Sequence, residues 1–143
     1  MHNDTVELLK ECNAGVKMGV SSIEDVLDKV ESEKLKAALT KNKEAHQKLG
    51  SRLHQLLNEY EEPGKDPNLM ARGMSWMKTN VMMQIDHSDH TIADVMTDGC
   101  NMGIKSLNRY LNKYQAAEQT AKDIAKDLIS LEQNLTQDLR EFL

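Results

Sequence analysis

Glu61-Glu62-Pro63-Gly64-Lys65-Asp66-Pro67 holds both prolines of the 143-residue chain. Proline lacks a backbone donor and clashes with the preceding turn, so no helix continues through this stretch. Upstream of it, Leu35, Leu39, Asn42, His46, Leu49, Leu53, Leu56 and Tyr60 recur at three- and four-residue spacing. That spacing marks one buried helix face and predicts a helix over 33–61. Downstream, Asn68 suits the cap of a shorter helix over 69–84 that carries Leu69, Met70, Met74, Met77, Val81 and Met82. The polar turn Asp86-His87-Ser88-Asp89-His90 follows. The connection therefore covers 62–88 and holds its own helix of roughly 24 Å, at about 1.5 Å per residue. Such a length carries a chain from one end of a helical bundle back to the other.

The same periodicity extends outward on both sides. Val6, Leu9, Asn13, Val16, Val20, Ile23, Leu27 and Val30 predict a helix over 4–30, capped by Asn3 or Asp4. Ser32 is placed to cap the next one. Ile92, Val95, Met96, Gly99, Gly103, Leu107, Tyr110 and Leu111 predict a helix over 89–112. Ala121, Ile124, Ala125, Leu128, Leu131, Leu135, Leu139 and Phe142 predict another over 116–142. The breaks within 4–61 and within 89–143 are tight, so each half is an antiparallel hairpin. The long crossover then sets the third long helix parallel to the second. The expected fold is all-α: a single domain over 1–143, built as a ferritin-like four-helix bundle with one long crossover containing a short extra helix.

Composition narrows the function. One Trp, three Tyr, one Phe and two Pro are too few aromatics and turn residues for an all-β fold. A net charge of −5 argues against nucleic acid as a partner, because neutralising phosphates needs a basic surface. No stretch approaches the roughly 20 apolar residues that cross a bilayer, so no membrane partner is expected. Met1-His2-Asn3-Asp4 is polar and does not read as a signal peptide, which makes the cytoplasm the expected compartment. Cys12 and Cys100, the only cysteines, are expected to be free, buried thiols.

Those two cysteines open nearly the same hexapeptide. Cys12-Asn13-Ala14-Gly15-Val16-Lys17 and Cys100-Asn101-Met102-Gly103-Ile104-Lys105 share four residues and exchange Val for Ile at a fifth. Each copy lies in the first helix of its hairpin. This points to a duplicated hairpin and a pseudo-two-fold axis through the bundle. Gly15 and Gly19 in one helix and Gly99 and Gly103 in the other cost about 1 kcal/mol apiece relative to alanine. A close crossing of these two helices, or a small face for a second subunit, would offset that cost.

With this helix order, with Asn68-Leu69-Met70-Ala71-Arg72-Gly73-Met74-Ser75-Trp76-Met77-Lys78 and with Asp98-Gly99-Cys100-Asn101-Met102-Gly103-Ile104-Lys105, the chain resembles the ferritin-like bundles of a bacterial family of unknown function. Di-iron members of that architecture place one Glu on each of two helices and Glu-x-x-His on each of the others. Here the resemblance puts Cys12 and Cys100 where single Glu residues are expected. Lys43-Glu44-Ala45-His46 has Lys43 in place of the Glu, and Ile129-Ser130-Leu131-Glu132 has Ile129. The carboxylate set is dismantled, so no di-iron centre and no cofactor are expected.

Three candidate sites remain. Cys12, His46, Cys100 and Glu132 offer two thiolates, an imidazole and a carboxylate, acceptable ligands for zinc if they share one level of the bundle. The bland reading is preferred, since buried cysteine usually behaves as a small apolar residue and Asn13 and Asn42 also face inward. His87 and His90, flanked by Asp86 and Asp89, form a surface cluster that suits a divalent cation, or simply a polar turn that caps the next helix. The crossover methionines Met70, Met74, Met77, Met82 and Met83 are read as packing rather than soft-metal ligands.

His46-Gln47-Lys48-Leu49-Gly50-Ser51 is similar to the histidine phosphotransfer signature, but with Leu and Lys exchanged. Leu49 shares the face of His46, which turns His46 to the core and Lys48 to solvent. The expected function is thus a non-catalytic binding or assembly module, most simply a homodimer. The alternatives are a metal-binding Cys/His layer and phosphotransfer through His46.

Overall fold

The computed structural model describes residues 2–60 and 88–143. They form four long α-helices: α1 His2–Leu27, α2 Glu33–Glu59, α3 Asp89–Lys113 and α4 Gln119–Leu139. A 3₁₀ turn, Arg140–Phe142, follows α4. No strand occurs among the described residues, so the chain is all-α. The expected short helix over 69–84 and the crossover methionines lie outside the described residues.

Local chemistry sets the helix starts. Ser32 and Ser88 sit in extended conformation, and their hydroxyls accept the Leu35 and Thr91 amides at 3.2 Å. Each satisfies one of the donors that a helix start leaves unpaired. Two boundaries differ from expectation. α1 already includes His2, so Asp4 lies inside its first turn. The Asp4 carboxylate accepts the Ala116 amide instead, and the Thr5 hydroxyl accepts that of Glu118. Those two bonds hold residues 116–118 in the α3–α4 turn, with Ala117 buried against the core. Hence α4 begins at Gln119, not at 116.

Contacts at the helix ends fix the topology. α1 packs on α2 and α3 on α4 as hairpins, and α4 also packs on α1 and α2. Asp4 and Thr5, at the start of α1, meet the α3–α4 turn. At the other end, both Asp89 carboxylate oxygens accept amides of the α1–α2 turn, from Glu31 and Ser32, each at 2.9 Å. The starts of α2 and α3 are therefore neighbours, and these two helices run the same way. Tyr60 bonds to Glu118 at the opposite end from Asp89, so Tyr60 and Ser88 lie at opposite ends of the bundle.

The core has two apolar halves. Leu8, Leu9, Cys12, Leu53, Ile124 and Leu128 belong to one; Ile23, Leu35, Leu39, Ile92, Met96 and Leu135 belong to the other. Fully burying each Leu or Ile contributes roughly 1.5–3 kcal/mol. On α2, His46 falls between Leu39 of one half and Leu49 of the other; on α4, Glu132 falls between Leu128 and Leu135. No helix among the described residues is long and apolar enough to cross a membrane.

Candidate functional site

The periodicity that buries Leu39 and Leu49 also buries Asn42 and His46, one turn apart on α2. His46 is 1% exposed. Its Nδ1 lies 2.9 Å from the Asn42 carbonyl oxygen, and its Nε2 lies 2.8 Å from Glu132 Oε1 on α4. The Asn42 amide donates to the Leu131 carbonyl at 3.0 Å, which ties the same two helices. A carbonyl accepts only, so Nδ1 carries a proton. With an acceptor oxygen at each ring nitrogen, the site favours the imidazolium form of His46.

Burial, the largest single influence on His46, disfavours its charged form. The hydrogen bond and charge of Glu132, with the Asn42 carbonyl, outweigh it and hold the imidazole above its ordinary value. Cys100, on α3, also meets Glu132. Its thiol is pushed up first by burial, then by the charge and hydrogen bond of Glu132. One glycine clears space for the ring and a second lies beside the carboxylate. A Cβ on Gly19 of α1 would lie 2.9 Å from the His46 ring, and one on Gly103 of α3 would lie 3.6 Å from Glu132 Oε2. All four helices therefore converge on this polar layer.

Three of the four candidate zinc ligands, His46, Glu132 and Cys100, come together. Cys12 does not. It is buried in the apolar half with Leu8, Leu9 and Val16, and burial followed by the charge of Glu11 pushes its thiol up to about 12. Both cysteines are free and buried. Among the described residues, no group of three or more His, Cys, Asp or Glu side chains could hold a metal ion. In the surface cluster, His87 and Asp86 lie outside the described residues. His90 is exposed, and the Asp89 carboxylate is spent on the α1–α2 turn.

Lys43 turns to Glu24 of α1, at 3.9 Å. Ile129 packs on the apolar half that holds Cys12. Lys48 is exposed and both nitrogens of His46 are engaged, the inward orientation that the Leu49 spacing predicts.

The glycines depart from expectation. Gly15 faces Leu128 of α4 and Gly19 faces His46 of α2, so they make room for side chains rather than for a crossing of α1 on α3. A second polar contact escaped the sequence. Glu11 is 7% exposed and hydrogen-bonds Tyr110, whose phenol burial, and then Glu11, pushes up to about 12. A buried charge beside a run of apolar residues carries no periodic signal of its own.

Two open grooves lie on the outer faces. One, of about 480 Å³, runs between α2 and α4 over Ala45, Leu49 and Leu131. The other, of about 710 Å³, runs between α1 and α2 over Val16 and Val20. Comparison with family models, with curated proteins and with solved structures finds no match for this chain.

Proposed function

We propose that the chain is a ferritin-like bundle that works as a non-catalytic binding or assembly module, a homodimer in the cytoplasm. The observation that carries this is the buried His46–Glu132 pair. At the level where such a bundle would carry metal ligands, His46 and Glu132 are bonded to each other. A methyl group at Gly19 would collide with the ring. Two irons require about six hard ligands at one level, and this layer offers one carboxylate and one imidazole. The residues present do not fit a di-iron centre.

The parallel course of α2 and α3 agrees with the helix order of ferritin-like bundles. The duplicated hairpin finds support in the core. Leu35, Leu39, His46, Leu49 and Leu53 of α2 each precede Ala121, Ala125, Glu132, Leu135 and Leu139 of α4 by the separation of the His46–Glu132 pair, 86 residues. Cys12 lies in one apolar half and its repeat partner Cys100 in the other. A pseudo-two-fold axis between His46 and Glu132 accounts for the α2–α4 correspondence, while the cysteines keep it only loosely, since Cys100 meets Glu132 and Cys12 does not meet His46.

Elemental analysis with sedimentation of untagged protein tests the proposal. The expected result is a dimer without stoichiometric iron. Two irons per chain with an oxo-bridge absorption would overturn it, and so would a monomer that binds nothing.

A further inference from the structure

Resting on the assembly reading above, the inference concerns the face by which two copies meet. α2 and α4 lie side by side, and their outward strips carry opposite charge. Lys34, Lys41, Lys48 and Arg52 are exposed on α2, on the helix face that Ala45 also occupies; Glu59 ends that strip. Asp123, Asp127 and Asp138 are exposed on the matching face of α4, and Glu141 follows on the 3₁₀ turn. Two in-chain pairs establish that the strips flank one seam: Lys34 Nζ to Glu141 Oε1 at 2.8 Å and Arg52 Nη1 to Asp127 Oδ2 at 3.7 Å. Between them lies the groove over Ala45, Leu49 and Leu131.

We propose that this α2–α4 face is a homodimer interface whose two-fold axis runs parallel to the helices. Such an axis keeps each residue at its own level and exchanges left for right. The basic α2 of one copy then lies over the acidic α4 of the other. Lys34, Lys41, Lys48 and Arg52 gain acidic neighbours across the interface, only Glu59 meets its own sign near Asp123, and the two apolar seams close on each other. Lys41 and Lys48 have no ion-pair partner among the described residues. In the dimer Lys41 comes level with Asp138 of the second copy, and Lys48 enters the acidic strip near Asp127. An axis perpendicular to the helices would instead stack α2 on α2 and oppose like charges, a costly arrangement.

Sedimentation of two charge-reversed chains tests the proposal. One carries Lys41→Glu and Lys48→Glu, which sets acidic side chains at these two positions against Asp138 and Asp127 of the second copy. The other carries Asp127→Lys and Asp138→Lys, which sets basic side chains there against Lys48 and Lys41 of the second copy. The wild type should be a dimer that loosens with added salt. Each variant alone should be monomeric with unchanged helical content, and a one-to-one mixture should recover the dimer mass as a hybrid. Lys48→Glu alone, a single exposed change, should weaken the dimer about tenfold. A wild-type dimer whose variants stay dimeric, or do not combine, overturns this interface and leaves the assembly reading standing. A monomeric wild type overturns both.

Discussion

His46 is the residue on which the bundle turns, because each of its ring nitrogens faces an acceptor. The extra proton this favours makes stability depend on pH. The folded state holds the imidazole above its ordinary value, and the unfolded chain holds it near 6.5. The contribution is therefore fully present below about pH 6.5 and is lost as pH rises through the folded value. Urea unfolding of the wild type and of His46→Gln across pH 5–9 should give curves that converge toward high pH. A gap that widens with pH would contradict the assigned proton. Gly19 is bound to the same ring. Gly19→Ala should destabilise by roughly 1–3 kcal/mol despite alanine's better helix propensity, because the added methyl overpacks the site. A stabilised variant would mean that the ring yields freely. From sequence, the inward turn of His46 was legible through Leu49 at i+3. Its partner was not, because nothing in a linear pattern pairs residues of different helices.

At the scale of elements, apolar periodicity located all four long helices, and Ser32 and Ser88 marked two of their starts. What escaped were the ends held by distant groups. Asp4 reads as a cap, yet its carboxylate serves the α3–α4 turn, and that contact moves the start of α4. Likewise Asp89 reads as a cap or metal ligand, yet it clamps the α1–α2 turn with two bonds. Hydrogen bonds to charged groups contribute about 1.5–3 kcal/mol each when protected from water. These are partly exposed, so Asp89→Ala should cost about 1–2 kcal/mol in denaturant unfolding. It should also speed amide exchange at Glu31 and Ser32. Unchanged exchange there would remove the clamp from the account.

Over the whole molecule, the bundle is two apolar halves joined through a polar layer, and the site was only partly readable. Of the candidate set Cys12, His46, Cys100 and Glu132, the structure brings His46 and Cys100 to Glu132 and leaves Cys12 apart, because helix phase sets a face but not the height at which two helices meet. Removing either member of a buried pair leaves the other unpaired, so each single change is costly while the double change is less so. The direct measurement is a double-mutant cycle of denaturant unfolding with His46→Ala, Glu132→Ala and both together. A packed, paired layer predicts that each single change costs about 1–3 kcal/mol and that the two couple by at least about 1 kcal/mol. Single changes within about 0.5 kcal/mol of the wild type, with no coupling, would place His46 at the surface and contradict the central claim.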